Sequence, residues 1–330
     1  METSRGAPHL EIGDLRVGFK TYEGYKQVLR LSELHVNHGE AYGLVGESGS
    51  GKSVLALSIM RLLHIPPAEL SASRLVFQGH DLLALSEREM RRLRGREMAM
   101  VFQDPMSSLN PVYTVGSQLL NIIERIQGIK GKQAHRRAVE HIDLVGLPDP
   151  ENMLGKYPHE LSGGQRQRVI IALALCCDAR FLIADEPTRN LDVTVQAGIL
   201  RTLARLQREL GVSLLFIANN LGLVSAMCDR VGILLEGHIV ERGSVQEIVH
   251  ESRHPYTHML LRAIPSADTH ASRTEAAIGE ALPAIVREAE HGCPYYSRCP
   301  DRDASCEHPE PPELLHLSGT HDVACHAAVS

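Results

Sequence analysis

The sequence predicts an α/β fold with a mostly parallel sheet, and three observations carry that expectation. From residue 161 the pattern alternates between helix (GGQRQRVIIALALCC), strand (FLIADEP), helix (VTVQAGILRTLARLQREL), strand (SLLFIA) and helix, then strands VGILLEG and HIVERG. A glycine-rich segment, GESGSGKS at 46–53, stands between an apolar strand and the helical pattern VLALSIMRLL. The runs LEIGDLRVGF, QVLRLSELHV and AYGLVG alternate apolar and polar positions, so an antiparallel β portion is expected near the N-terminus.

Residues 82–145 read as mostly helical, through LLALSEREMRRLRG and VGSQLLNIIERIQG. The short strand MAMVFQ interrupts them and ends at the polar break DPMSSLNP. Beyond Glu251 the chain changes character, gathering prolines, histidines and cysteines. Residues 265–290 read as a linker and 291–330 as a small added module.

The 330 residues are 43% apolar and 22% charged, which excludes disorder as the main theme. The longest apolar run, Val169 to Cys177, is too short to span a bilayer. METSRGAPHLEIG has no apolar stretch of the secretory kind, so a cytosolic location is expected unless another protein tethers the chain. A net charge of −6, no tryptophan and 4% aromatics argue against nucleic acid as a partner. Seven cysteines without a secretory segment argue against a disulfide framework.

The segment Gly46-Glu47-Ser48-Gly49-Ser50-Gly51-Lys52-Ser53 fits G-x-x-x-x-G-K-[ST] in its strand–loop–helix context. Its glycines let backbone N–H groups face phosphate, with the helix N-terminus adding positive potential. Lys52 is expected to bridge the β- and γ-phosphates and Ser53 to hold Mg²⁺. Phe181–Glu186 is an apolar strand delivering two carboxylates at its tip. Asp185 is assigned to Mg²⁺ and Glu186 to polarising the attacking water. Leu161-Ser162-Gly163-Gly164-Gln165 forms a second anion cradle at a helix start. One ATP has one γ-phosphate, so this second cradle implies a second nucleotide shared with a partner chain.

An LSGGQ segment between a phosphate loop and an acidic strand closely resembles the ATP-binding cassette ATPases, over about residues 8–250. The resemblance implies a RecA-like core, a helical subdomain at about 85–165 and a C-terminal extension at 251–330. It further implies two subunits closed head-to-tail around two ATPs, each held between one chain's phosphate loop and the other's LSGGQ. By matching motif, Gln103 is the glutamine that contacts Mg²⁺ and water, and Asn190-Leu191-Asp192 is the loop that crosses to the partner. Tyr25 is the chosen adenine-stacking aromatic, with Tyr22 its competitor. The chain departs from the family at Asn219, where a histidine usually holds the γ-phosphate. Asparagine carries no charge, so slow turnover at this chain's own site is expected.

Cys293, Cys299, Cys306 and Cys325 sit in a short proline-rich tail, where four thiolates suit zinc or an iron–sulfur cluster. His291, His308, His321 and His326 are possible substitutes as ligands. HPYTHMLLRAIP, GCPYYSRCP and VACH resemble the C-terminal extension of peptide/nickel-type importer ATPases, as does FQDPMSSLNPVYTVG at the helical entry. That group implies a 4Fe–4S cluster, with zinc as the alternative. It also implies two transmembrane permease subunits and an extracytoplasmic substrate-binding protein, while Asn219 favours an asymmetric pair with a related but different ATPase. The chain would then lie peripherally on the cytoplasmic face of the cell membrane, with a groove between core and helical subdomain receiving permease helices. Nickel chelates, opines or heme are alternative cargoes, and a regulatory subunit with little hydrolysis of its own is an alternative role. A soluble cassette ATPase of ribosomes or DNA is disfavoured by the single cassette and the absence of a long coiled-coil insertion.

Overall fold

The computed structural model of the chain describes residues 8–104, 108–176, 178–264 and 292–327. The expected linker at 265–290, Cys177, His291 and the 105–107 part of the polar break lie outside the described residues.

Two sheets organise the molecule. The N-terminal hairpin pairs β1 (Pro8–Thr21) with β2 (Gly24–Asn37), antiparallel over almost their whole length. Short strands β4 (Ala68–Ser71), β5 (Arg74–Phe77) and β6 (His80–Asp81) complete this antiparallel sheet. The larger sheet contains β3 (Ala41–Val45), β7 (Met98–Val101), β8 (Phe181–Asp185), β9 (Ser213–Ala218) and β10 (Arg230–Leu235), in the order β10-β3-β9-β8-β7, all parallel. Strand β11 (His238–Ser244) joins β10 antiparallel and continues the sheet.

Every residue of β3, β8 and β9 is buried, as expected of parallel strands covered on both faces. Their side chains alternate between two cores. Leu44, Ile183 and Leu215 face the antiparallel sheet and helix α1 (Lys52–Ile59), while Val45, Ala184 and Phe216 face the helices on the other side.

The helical insertion begins later than expected. Helix α2 (Glu87–Leu93) packs Met90 into the core shared with the antiparallel sheet, and β7 then forms the edge of the large sheet beside β8. The run Met98–Val101 is apolar enough to pair there, so 85–101 belongs to the core. Helices α3 (Val115–Ile126), α4 (Gly131–Leu144), α5 (Pro150–Gly155) and α6 (Gly163–Leu175) follow. The remaining helices are α7 (Val193–Leu210), α8 (Leu221–Ser225), α9 (Val245–Glu251) and α10 (Pro255–Arg262).

The C-terminal segment is woven into the same body. Strand β13 (His321–Val323) pairs with β11, and β12 (Leu315–Ser318) pairs with β13, extending the large sheet. Buried Glu241 of β11 binds the backbone N–H groups of Arg253 and His254 and the ring of His321. Tyr256 of α10 is fully buried.

Candidate nucleotide-binding site

Strand β3 delivers the phosphate loop to the C-terminal edge of the large sheet, between β10 and β9. Gly46 must be glycine: a Cβ there would lie 2.2 Å from the Leu234 carbonyl oxygen. Gly49 and Gly51 take positive φ angles of 86° and 104°, which curl the loop over the start of α1. No side chain caps that helix, so its first N–H groups stay available to an anion. Ser50, Gly51 and Lys52 are buried, while Ser48 and Gly49 form the exposed crest. The Lys52 ammonium donates to the Gly46 and Glu47 carbonyls at 2.8 and 2.7 Å and to the Ser50 hydroxyl at 3.3 Å. Burial holds its pKa below the usual lysine range, although Glu186 and Asp185 pull the other way.

Asp185 and Glu186 stand at the tip of β8. Asp185 is 3% exposed, and its Oδ1 has no hydrogen-bond partner. Burial raises its carboxyl above the usual range, opposed by a hydrogen bond from Ser53 and reinforced by the charge of Glu186. A buried, unpartnered carboxylate oxygen beside a serine hydroxyl is the donor set a hard cation such as Mg²⁺ takes. Glu186 has a positive φ of 43° and is tied to β9 by its N–H to the Ile217 carbonyl. Gln103 lies just past β7 and donates from Nε2 to Glu186 Oε2 at 3.2 Å. Three strands thus bring Lys52, Asp185, Glu186 and Gln103 to one edge. Asn219, just past β9, is exposed, and Asn220 caps α8 by accepting the Gly222 N–H.

The second cradle starts α6. Ser162 Oγ accepts the Gln165 N–H at 3.3 Å, and Gln165 Oε1 accepts the Ser162 N–H at 3.0 Å, closing a capping box. Ser162 and Gly163 are exposed. Gly164 abuts Val195 so closely that a Cβ would stand 2.5 Å from it, and a Cβ on Gly163 would meet Leu191 at 3.2 Å. The segment Asn190-Leu191-Asp192 therefore lies against the cradle, with Asp192 capping α7 through the Val195 N–H.

Tyr25 lies on β2, half-exposed, packed over Gly18, and Tyr22 projects fully from the hairpin end. The Val28 carbonyl of β2 sits 3.0 Å from where a Gly51 Cβ would be. Tyr25 is three residues farther along the strand, about 10 Å away at the usual rise.

The four C-terminal cysteines line one small cavity with His254, Tyr295, Tyr296, Arg302 and His326. Burial pushes the Cys293 thiol up to about 11, and burial raises Cys299 as well. Yet no group of three or more His, Cys, Asp or Glu among the described residues is arranged to hold a metal ion. Of the alternative ligands, His326 lines the cavity, whereas His321 is engaged by Glu241.

Sequence reasoning missed three contacts of the loop and the acidic tip. Arg189 Nη1 donates to Glu186 Oε2 at 3.0 Å. Arg298, between two of the cysteines, pairs with Glu47 of the phosphate loop at 2.9 Å and lies over the Tyr256 and Tyr295 rings. The Glu47 N–H donates to the Tyr256 hydroxyl. Opposite charges three residues apart could have flagged Arg189; no local signal links Arg298 to a loop 251 residues away.

Several known families and proteins are similar to this chain. The ABC transporter family model matches residues 29–189, and that of the oligopeptide/dipeptide transporter C-terminal region matches 240–306. The oligopeptide transport ATP-binding protein OppD of Bacillus subtilis is 46% identical over 82% of this chain and 75% of its own length. The dipeptide transport ATP-binding protein DppD of the same organism is 40% identical over 96% of this chain and 93% of its own. Among solved structures, a dimeric post-hydrolysis state of the ATP-binding cassette MJ0796 bound to ADP and Pi superposes with a TM-score of 0.63 at 24% identity, over 72% of this chain and 98% of that one. The cbiO1 protein of Clostridium perfringens, part of a cbiONQ transporter complex, gives 0.62 at 25% identity, over 74% and 91%. No helix among the described residues is long and apolar enough to cross a membrane.

Proposed function

Since the chain belongs to the ATP-binding cassette transporter ATPases and carries their oligopeptide/dipeptide C-terminal region, we propose that it is the subunit that binds and hydrolyses ATP to drive a membrane importer of di- or oligopeptides. The observation that carries the reading is the shared sheet edge, where an uncapped helix start and Lys52 stand with a buried unpartnered Asp185 oxygen and Glu186.

The phosphate loop, Gly46 to Ser53, would take the triphosphate, and Lys52 would exchange its carbonyl partners for phosphate oxygens. Ser53, Asp185 and Gln103 would hold Mg²⁺, which supplies charge neutralisation when bound. Glu186 would accept the proton of the attacking water. Ser162, Gly163, Gly164 and Gln165 would close on the ATP of a second, related ATPase chain, with Asp192 and its loop at that seam. Tyr25 would stack on the adenine. Permease subunits would dock at the helical insertion, and a substrate-binding protein outside the cell would select the cargo. The chain would sit on the cytoplasmic face of the membrane.

Asn219 favours a second reading within this one: a site that binds ATP but hydrolyses slowly, making the pair asymmetric. The boundaries proposed are 8–250 for the cassette and 251–330 for the C-terminal extension. The proposal of a 4Fe–4S cluster in that extension, with zinc as the alternative, rests on Cys293, Cys299, Cys306 and Cys325 lining one cavity, although as they stand among the described residues they are not arranged around a metal ion. The test of function is to purify the assembly through a tag on this chain and measure its ATPase activity and peptide uptake in vesicles. Glu186→Gln should remove this chain's share of hydrolysis while nucleotide still binds; unchanged hydrolysis would overturn the reading. Iron or zinc analysis of the same preparation decides the cluster, and protein with neither metal would sink that part.

A further inference from the structure

We propose that Arg189 is a positioning residue for Glu186, clamping one carboxylate oxygen so that the other is presented to water. The inference rests on Glu186 being the group that activates the attacking water. Glu186 Oε2 receives two donors, Gln103 Nε2 at 3.2 Å and Arg189 Nη1 at 3.0 Å. Glu186 Oε1 accepts no hydrogen bond among the described residues, so the two oxygens differ in task.

An exposed ion pair three residues apart would ordinarily contribute little. This pair is different because the acid is buried: the Glu186 side chain is 7% exposed and that of Arg189 41%. Asp185, the preceding residue, adds a second buried carboxylate. Two buried acids side by side need a compensating cation. The Lys52 ammonium acts on both acids through its charge but gives its hydrogen bonds to the carbonyls and hydroxyl of its own loop. Arg189 is the cation hydrogen-bonded to Glu186, and Asn219 beyond the neighbouring strand carries no charge.

The backbone makes the clamp rigid. The Arg189 N–H donates to the Glu186 carbonyl at 3.1 Å, closing the turn that turns the guanidinium back onto the carboxylate. The Glu186 N–H is fixed to Ile217 at 2.9 Å. During hydrolysis the water oxygen bonds to the γ-phosphorus as the bond to the ADP oxygen breaks. The water's proton passes to Oε1, while Oε2 stays bound to Arg189, which keeps its charge throughout.

The test uses the full assembly purified through this chain, with the rate of Glu186→Gln taken as the background from the partner's site. Arg189→Ala should lower the remaining kcat by about 10-fold with KM for ATP within about twofold, because orientation and charge act on the chemical step. Arg189→Lys, which keeps the charge, should recover most of the rate, and Arg189→Gln, which keeps a donor without the charge, should recover only part of it. A kcat unchanged or raised in Arg189→Ala, a KM for ATP that rises in step with the loss of rate, or no recovery in Arg189→Lys would overturn the proposal. If Arg189→Ala does not fold, the Lys and Gln variants decide between the same outcomes. Should Glu186→Gln itself hydrolyse at the wild-type rate, the assignment of Glu186 fails, which is a separate result from failure of the clamp.

Discussion

A methyl group added at Gly46 would stand 2.2 Å from the Leu234 carbonyl oxygen and 2.7 Å from the Ser50 hydroxyl. Backbone cannot yield cheaply there, because β10 and β3 are locked in register by their ladder. Gly46→Ala should therefore displace the loop and weaken ATP binding by about 10-fold or more, read by titration with a fluorescent nucleotide. Asn219 poses the opposite problem, since room exists and charge does not. Its exposed amide can donate one neutral hydrogen bond where an imidazolium would make a charge-assisted one. Asn219→His should raise this chain's turnover severalfold at neutral pH, measured against the Glu186→Gln background; no change would show that the amide suffices. These residues were legible in the sequence because their requirements are local. A positive φ, a close strand and a lysine at a fixed offset leave a spacing that can be read. Arg189 was legible in principle and overlooked, because a salt bridge at that spacing is usually a surface ornament.

Elements differ in how plainly they declare themselves. The buried strands β3, β8 and β9 could be read directly, since burial on both faces leaves an unbroken apolar run. Strands β4, β5 and β6, of two to four residues, gave no period to detect; pairing with β1 creates them. Strand β7 was readable as the short run MAMVFQ among helices, but its four apolar residues gave no sign that it pairs beside β8 at the edge of the large sheet. The C-terminal strands look weak alone and exist through pairing, β13 with β11 and β12 with β13. This weave puts Arg298 on Glu47 of the phosphate loop, and Tyr256 under the N–H of the same residue. Both charges of the pair are 42% exposed, so its strength is modest. Its consequence is electrostatic, because an uncompensated Glu47 would repel a triphosphate. Arg298→Ala should weaken ATP binding about threefold, and less at high salt. Combining it with Glu47→Gln should bring affinity back to that of Glu47→Gln alone. If Arg298→Ala leaves affinity untouched at low salt, the C-terminal segment does not influence the loop through this contact.

At the scale of the whole molecule, the joint between the two sheets is the feature that no single stretch of sequence discloses. His9 on β1 sits in it, 1% exposed, with Nδ1 2.7 Å from the Ser213 hydroxyl at the start of β9 and Nε2 2.7 Å from the Gln78 amide. Its ring stacks on His38 at 4.0 Å and on Phe77 at 4.9 Å. Ser213 also accepts the Gly39 N–H, so one hydroxyl ties β9 both to His9 and to the turn after β2. Burial, helped by the charges of His38 and Arg180, drives the His9 pKa from 6.5 down to about 3. In the unfolded chain the ring takes up its proton near pH 6.5, whereas in the folded chain it stays neutral to about pH 3. The unfolded state therefore binds more protons across that window, and acid favours it. The stability conferred by neutral His9 is complete above pH 6.5 and falls as pH drops toward 3. At pH 5 the loss from this one ring amounts to about 2 kcal/mol. Half-buried His238, whose pKa is lowered to about 4 by desolvation and by Arg30, adds a loss of the same sign. His9→Gln keeps an amide able to bond Ser213 and has no proton to gain. It should cost some stability at pH 7.5 and yet reduce the decline between pH 7.5 and 5 by about 2 kcal/mol in urea titrations of the full chain. An unchanged decline would mean that the joint opens, or admits water to His9, before the acid transition. The two sheets would then be held together by their apolar core and not by this polar seam.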